Sequence, residues 1–144
     1  MSRGFTLVEI LLSVALLSLI AGISIPVYQQ FQVRNNVDIA ASNVVESLRR
    51  ASILAQGGYE DSTWSVNIST SSIILYKGST FATRDTTYDE VISITPDVIP
   101  SGMSDVTFAR LTGFPSTALT PIVLTSSSNE TRTITLNAKG TITY

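Results

Sequence analysis

Apolar side chains fill the first part of the chain almost without interruption. The run from Phe5 to Ile25 contains one charged side chain, that of Glu9. A helix needs about 20 apolar residues to cross the hydrocarbon core of a bilayer, and this run meets that length. An ionised carboxylate inside such a segment is costly, so Glu9 is a candidate functional residue that needs a partner. The pattern predicts a membrane-inserted helical segment at residues 5–26.

Polar residues enter the pattern from Val27 onward. Apolar residues then recur at three- and four-residue spacing, which is typical of one buried face of a helix. These positions are Val37, Ala40, Ala41, Val44, Leu48, Ala51 and Ala55. Gly57 and Gly58 are the expected stop signal. We therefore predict one helix over about residues 5–56, with a length on the order of 75 Å at 1.5 Å per residue.

Gly22 and Pro26 lie inside this predicted helix. A proline removes one backbone hydrogen bond, and its ring clashes with the carbonyl four residues earlier. The sequence therefore predicts a kink or local melting between these two residues. The kink would divide the helix into the apolar segment, residues 5–26, and an amphipathic segment, residues 27–56.

Short runs of alternating apolar and polar residues follow Gly58 and read as strands. The predicted strands are residues 63–68, 72–76, 90–95, 105–111, 120–126, 132–137 and 141–144. Turns are expected at residues 67–71 and 138–140, and short turns favour antiparallel pairing. The predicted fold class is α+β, in which the C-terminal half of a long kinked helix packs on an antiparallel β-sheet domain at residues 57–144.

The composition leaves little room for catalysis. The chain has no histidine and no cysteine, which excludes the usual hydrolase triads and zinc sites. The adjacent acids Glu60-Asp61 and Asp89-Glu90 would point to opposite faces of a strand. The spacing of the acids at positions 85, 89, 90 and 97 fits no calcium loop. The prediction is a protein that is not an enzyme and holds neither a metal nor a cofactor.

Charge gives equally little support to a nucleic-acid partner. The formal net charge is −2, so no global basic field recruits nucleic acid. Arg34, Arg49 and Arg50 fall on or near the polar side of the amphipathic helix, without interleaved aromatic residues. We interpret them as solvated, or as salt-bridge partners in an assembled state. Contact with nucleic acid is possible but unsupported.

The start of the chain resembles the class III signal of type IV pilins and type II secretion pseudopilins. The resemblance rests on Gly4-Phe5-Thr6-Leu7-Val8-Glu9, on the apolar run behind it and on Pro26. An ordinary secretory signal fits less well, because Glu9 lies where the apolar core should begin and no small-residue cleavage site follows. A plain membrane anchor would fit the length of the run.

The resemblance implies a maturation route. Residues 1–4 would be a leader peptide that a prepilin peptidase removes by cutting between Gly4 and Phe5, and Phe5 would then be methylated. The subunit would wait in the inner or cytoplasmic membrane until an assembly platform and its ATPase add it to a homo-oligomeric helical filament at the cell surface. Glu9 would help to place the next subunit, and the region of Gly22 and Pro26 would kink or unwind in the filament. The absence of cysteine departs from those pilins that close a C-terminal loop with a disulfide.

A second resemblance concerns the β-domain. Val106-Thr107-Phe108 ahead of Gly113, together with the pattern at residues 133–142, is similar to minor pilins and pseudopilins of the FimT and GspH type. The sequence leaves major pilin, minor pilin and pseudopilin open, and with them motility, adhesion, secretion and DNA uptake. The alternative from another class is a membrane-anchored adhesin or DNA-uptake receptor.

Overall fold

The computed structural model describes residues 4–116 and 120–144, apart from the side chains of residues 23–27, 29 and 30. The chain forms two compact units, Met1–Gln32 and Val33–Tyr144. The boundary lies within the helix, a few residues after the predicted kink. Within the described residues, the helix is the only regular element of the first unit, and the second unit contains the rest of the helix together with the strands.

The helix, α1, extends over Leu7–Gln56, which confirms the long helix that the sequence predicts. It ends at the expected glycines: the Gly57 amide donates to the Ile53 carbonyl at 2.9 Å, and Gly58 takes a left-handed conformation with φ of 64°. Left-handed glycine is the usual way in which a helix ends.

The helical assignment continues through Gly22 and Pro26. The Pro26 side chain lies outside the described residues, and the predicted kink stays a prediction. The predicted membrane segment, residues 5–26, likewise ends on side chains outside the described part. Over the side chains that are described, no stretch of helix is long and apolar enough to qualify as a membrane span.

The second part of α1 buries the predicted apolar face. All seven positions from Val37 to Ala55 that the periodicity selects are at most 3% exposed, and Val45 joins them. Four of the seven are alanines, whose small side chains let the helix backbone approach a sheet closely. The amphipathic prediction for this segment is confirmed, since its opposite face is exposed to solvent.

The β-domain contains two four-stranded antiparallel sheets, where the sequence predicted one. The first sheet has the order β3-β2-β1-β5 and the second β4-β6-β7-β8. The strands are β1 Trp64–Ile68, β2 Ser72–Lys77, β3 Asp85–Ser93, β4 Val98–Gly102, β5 Asp105–Phe108, β6 Ile122–Ser126, β7 Thr131–Leu136 and β8 Ile142–Thr143. One apolar core joins the amphipathic half of α1 to residues from both sheets, so the α+β fold class is confirmed.

The strand that the sequence analysis missed is β4. It contains Pro100, and a proline argues against a central strand because it cannot donate to the ladder. Among the described strands β4 pairs with β6 alone, so it is an edge strand, where a proline is tolerated. Gly102 ends it with φ of 87°, and a Cβ there would lie 2.1 Å from the Pro121 carbonyl oxygen. The chain therefore crosses between the sheets at a position that requires glycine.

Two other predicted strands have different bounds. β3 begins at Asp85, five residues before the predicted start at Glu90, because its polar first half pairs with β2 at the Lys77↔Asp85 register. β5 ends at Phe108, although the sequence predicted strand through Leu111. Leu111 instead adopts a left-handed conformation with φ of 69°, and its amide donates to the Ala55 carbonyl at the end of α1 at 2.8 Å.

Candidate processing site at the start of the helix

The predicted cleavage site lies outside the helix. Gly4, Phe5 and Thr6 have no regular secondary structure and are exposed, and Phe5 is 80% exposed. The Gly4–Phe5 peptide bond therefore lies in accessible chain immediately before the first helical residue. An endopeptidase needs a substrate segment that is not held in helical hydrogen bonds, and this segment has that property.

Thr6 and Glu9 form a reciprocal cap at the start of α1. The Glu9 amide donates to the Thr6 hydroxyl oxygen at 3.3 Å, and the Thr6 amide donates to Glu9 Oε2 at 3.4 Å. The arrangement is a capping box, in which each side chain satisfies an amide that the helix leaves without a partner. The sequence analysis missed this cap, although the spacing Thr-x-x-Glu is its known signal.

The position of Glu9 also suits its charge. It is the one acidic residue in the first turn of α1, where the positive end of the helix dipole favours a carboxylate. In the uncut chain the Phe5 nitrogen is an amide, so the Glu9 carboxylate has Thr6 as its partner. Cleavage after Gly4 would place an amino group one residue before Thr6.

The first unit exposes apolar side chains on all sides of its helix. Ten large ones between Leu7 and Ile20 are each at least 54% exposed. The polar groups among them are satisfied locally: the hydroxyls of Ser13 and Ser18 donate to the carbonyls of Glu9 and Val14 at 2.7 and 2.8 Å. A helix that is apolar all round belongs inside a large core or a membrane, so this surface requires a cover from outside the unit.

The four adjacent acids that the sequence singled out are engaged in ion pairs. Glu60 pairs with Lys77 and Asp61 with Arg110, while Asp89 pairs with Arg84 and Glu90 with Arg50. The members of each adjacent acid pair thus serve different cations, and neither pair is an acid–base dyad. Across residues 4–116 and 120–144, no group of three or more acidic side chains could hold a metal ion.

All three arginines of α1 are exposed, and two of them form ion pairs within the chain itself. Arg34 pairs with Glu130, and Arg50 pairs with Glu90 at 2.6 Å. These partners lie on the β-domain of the same unit, so the pairs form without an assembled state. Helix and strands place opposite charges side by side here, a pairing that the sequence pattern alone could not reveal. Arg49 is exposed.

Comparison with known proteins identifies the start of the chain. Residues 1–25 match the family model of the prokaryotic N-terminal methylation motif. Neither the curated proteins nor the solved structures with which the chain was compared provide a match, and the likeness of the β-domain to the FimT and GspH type stays a prediction.

The matched motif has direct implications. It is characteristic of type IV pilin and pseudopilin precursors, which a prepilin peptidase processes and which start in a membrane before they enter a surface or periplasmic filament. The exposed Gly4–Phe5 bond and the apolar helix behind it suit both steps. Residues 1–25 are thus a class III signal of the kind that is characteristic of type IV pilins and pseudopilins.

Proposed function

We propose that this chain is the precursor of a structural subunit of a type IV pilus-like filament. The observation that carries the proposal is the methylation motif at residues 1–25 on a helix whose apolar side chains are exposed on all sides. A filament made of such helices covers these side chains in its centre, and each added subunit removes apolar surface from water. Prepilin peptidase cuts after Gly4, and Phe5 becomes the methylated N-terminus.

Before assembly the apolar segment, residues 5–26, holds the subunit in the inner or cytoplasmic membrane. Residues 1–4 lie on the cytoplasmic side, in agreement with the positive charge of Arg3, and the β-domain lies outside. An assembly platform and its ATPase then transfer the subunit to the filament. Gly22 and Pro26 are the weakest part of the helix, because the proline removes a backbone hydrogen bond there.

Glu9 acts twice in this proposal. In the precursor it caps the helix through Thr6. After cleavage the free amine of Phe5, in the same chain or in a neighbour, becomes a stronger partner, because a charge-assisted hydrogen bond exceeds a neutral one. An acid inside an apolar bundle is tolerable when it is paired in this way. Glu9 thereby sets the axial position of one subunit against the next.

The deciding experiment is intact-mass spectrometry of the protein recovered from sheared cell-surface material of its host. We expect a filament fraction whose mass lacks Met1 to Gly4 and carries one added methyl group. A full-length mass confined to the membrane fraction would contradict the proposal and leave a plain anchored domain. Abundance in the filament fraction separates a major pilin from a minor pilin or a pseudopilin, which are present in few copies.

A second candidate function is that of a membrane-anchored binding module, such as an adhesin. A groove between the end of α1 and β3, lined by Tyr59, Trp64 and Tyr88, favours it. Such a module would remain dispersed in the membrane, whereas a filament subunit self-associates.

A further inference from the structure

Two exposed aromatic side chains lie on α1 just beyond the apolar run. Tyr28 and Phe31 are 66% and 65% exposed. They are three residues apart, so their rings lie on the same side of the helix. Both belong to the first unit, and both lie outside the motif at residues 1–25. Neither the cleavage after Gly4 nor the pairing of Glu9 gives these rings a role.

The polarity of the chain changes where the two rings lie. Residues 10–27 contain no charged side chain. The hydroxyls of Ser13 and Ser18 within this stretch donate to backbone carbonyls, so neither serine would carry an unpaired donor into hydrocarbon. The next charged residue is Arg34, which pairs with Glu130 of the β-domain. The two rings therefore lie at the transition from an apolar to a polar part of the chain.

The spacing between Glu9 and Tyr28 matches the thickness of a bilayer. Both residues lie within α1, and the rise between them is about 28 Å at 1.5 Å per residue. The hydrocarbon core of a bilayer is about 30 Å thick. When Tyr28 lies at one boundary of the hydrocarbon, the Glu9 carboxylate therefore lies at the other boundary, where water reaches it. An ionised carboxylate costs much less there than at the centre of the bilayer.

The chemistry of the two rings fits the boundary between acyl chains and headgroups. Tyrosine combines an apolar ring with a polar hydroxyl, and it is enriched at this level of the membrane. Phe31 adds a second apolar ring on the same side of the helix. A lipid phosphate is a poorer partner for this part of α1, because the nearest cation, Arg34, is already paired with Glu130.

We propose that Tyr28 and Phe31 form an interfacial pair, whose rings insert at the headgroup boundary on the side of the β-domain. The pair fixes the depth of the precursor, so that Glu9 rests at the opposite boundary and the Gly4–Phe5 bond lies at the cytoplasmic surface, within reach of a peptidase. This inference rests on the membrane stage of the proposed function, which a filament subunit and an anchored binding module share.

The absence of cysteine from the chain allows a direct measurement of depth. Ala15→Cys and Ala21→Cys each introduce one site for a nitroxide label into the full-length protein, which is reconstituted in phosphatidylcholine vesicles. Collisions of the label with oxygen, which concentrates in hydrocarbon, and with a water-soluble nickel chelate report its depth. The labels lie about 9 Å from Glu9 and about 10 Å from Tyr28 along the helix. We therefore expect nearly equal depths below opposite boundaries.

Tyr28→Ala together with Phe31→Ala removes the interfacial pair. Glu9 is then free to move further into water, so the label at position 15 should become shallower and the label at position 21 deeper. Each shift should be about 3 Å, the rise of two residues. Tyr28→Trp with Phe31→Trp should keep both depths, because tryptophan also favours the boundary.

Ile39→Ala together with Ile53→Ala is the matched control. Both isoleucines are exposed side chains of α1, but they belong to the second unit, and their replacement should change neither depth. Circular dichroism checks that each variant keeps its helix.

Three outcomes would overturn the proposal, and they are distinguishable. Unchanged depths in the double alanine variant, with both labels inside the hydrocarbon, remove the interfacial pair but leave the membrane stage intact. Labels that the nickel chelate reaches as freely as in water remove the membrane stage as well. Unchanged depths together with a loss of filament yield in the host would assign the two rings to contacts between subunits instead.

Discussion

Thr6 and Glu9 form a structural cap that involves the carboxylate for which we propose a role in assembly. Their side chains satisfy amides at the start of α1, and the long donor–acceptor distances, 3.3 to 3.4 Å, describe weak bonds that a better partner can replace. The motif at residues 1–25 is visible in the sequence, and the sequence also leads us to propose a role for Glu9 in assembly. Its partner in the uncut chain was not foreseen, because the sequence analysis sought a charge for it and the structure supplies a hydroxyl and an amide.

Replacing Glu9 with glutamine distinguishes the capping function of this side chain from the function of its charge. Glu9→Gln keeps a side chain that can complete a capping box, whereas Glu9→Leu removes both cap and charge. We expect both variants to be cleaved after Gly4 and both to lose most of the filament yield, because neither can pair with the Phe5 amine. Immunoblots of cleavage and of sheared material measure the two steps. Normal filament yield from Glu9→Gln would refute a role for the charge of Glu9 in assembly. The capping function would then be the only role left for this side chain.

Tyr76 makes stability sensitive to alkali. It is fully buried, and its hydroxyl donates to Asp105 at 2.8 Å. Burial first, and then that hydrogen bond, raises the pKa of Tyr76 above its usual range. A raised pKa in the folded state leaves stability intact below about pH 10, the unfolded value. Stability is then lost as the pH rises from there toward the folded pKa, because the unfolded chain releases its proton first.

Tyr76→Phe tests this directly. The substitution should cost about 1 to 2 kcal/mol near neutral pH, because the Asp105 carboxylate loses its donor. It should also flatten the fall in stability above pH 10. Urea unfolding at neutral and alkaline pH provides both numbers. An unchanged alkaline slope in the variant would assign that slope to other residues.

At the scale of elements, two ion pairs connect the part of α1 that begins the second unit with the hairpin of β6 and β7. Arg34 of α1 pairs with Glu130, and Asp38, one turn later, pairs with Arg132 at 2.6 Å. A positive side chain followed by a negative one on the helix therefore pairs with a negative side chain followed by a positive one on the hairpin. The two pairs lie in the first turns after the boundary at residue 32, where they oppose fraying of the helix away from the sheets.

Charge reversal tests the ion pair between Arg34 and Glu130. Arg34→Glu should destabilise the fold by about 1 kcal/mol, since exposed pairs contribute about 0.2 to 1 kcal/mol and the new charge repels Glu130. The double variant Arg34→Glu with Glu130→Arg should restore most of the loss. Arg49→Glu on the same helix is the control, with an expected change within about 0.5 kcal/mol. Urea unfolding at low salt measures all three; a double variant as weak as the single one contradicts the pairing.

Gly113 fixes the loop after β5 against α1. Its φ is 64°, and a Cβ there would lie 2.8 Å from the Ser52 carbonyl oxygen, while the Ser52 hydroxyl donates to the Gly113 carbonyl at 2.8 Å. Gly113→Ala should therefore cost about 1 to 3 kcal/mol through backbone strain and displacement. Gly22→Ala is the contrasting variant, because a Cβ there meets no atom within 4 Å and alanine favours helix. Thermal unfolding should separate them, and equal melting temperatures would contradict this account.

Periodicity predicted an element well where apolar spacing alone determined it. It predicted an element poorly where a proline or a long-range contact also mattered. The helix from Leu7 to Gln56 and its buried face follow from apolar spacing alone. β4 was missed since Pro100 argues against a central strand, and only the sheet order reveals that it is an edge. The end of β5 was missed because Leu111 serves the helix end by a long-range contact. Local patterns contain no information about such contacts.

At the scale of the whole molecule, the second unit has a buried apolar core, whereas the first unit exposes its large apolar side chains. Among the described side chains, every residue of the apolar core lies between Val37 and Leu136, hence in the second unit. The large apolar side chains of the first unit, in contrast, are exposed. The sequence predicted a change of pattern after residue 26, whereas the boundary between the units lies after residue 32. It could not predict two sheets in place of one, since pairing between distant strands leaves no local signal.

Removal of the first unit should leave a protein that folds by itself. A chain of residues 33–144 keeps the described core, both sheets and the two ion pairs between α1 and the hairpin of β6 and β7. We expect it to unfold cooperatively in urea and to sediment as a monomer without detergent, whereas the full-length chain should require detergent. Noncooperative unfolding of residues 33–144 would mean that the helix before residue 33 supports the domain.

The bond from the Leu111 amide to the Ala55 carbonyl also bears on biogenesis. A ribosome makes α1 first, and under the proposed function the apolar segment reaches the membrane while the β-domain is still being synthesised. The last turn of α1 lacks this partner until residue 111 has been translated and β5 has paired. Translation thus imposes an interval in which the anchor is already inserted but the far end of the helix is unfinished. Slowed translation between codons 56 and 111 would lengthen that interval and expose the nascent chain to proteolysis at the helix end.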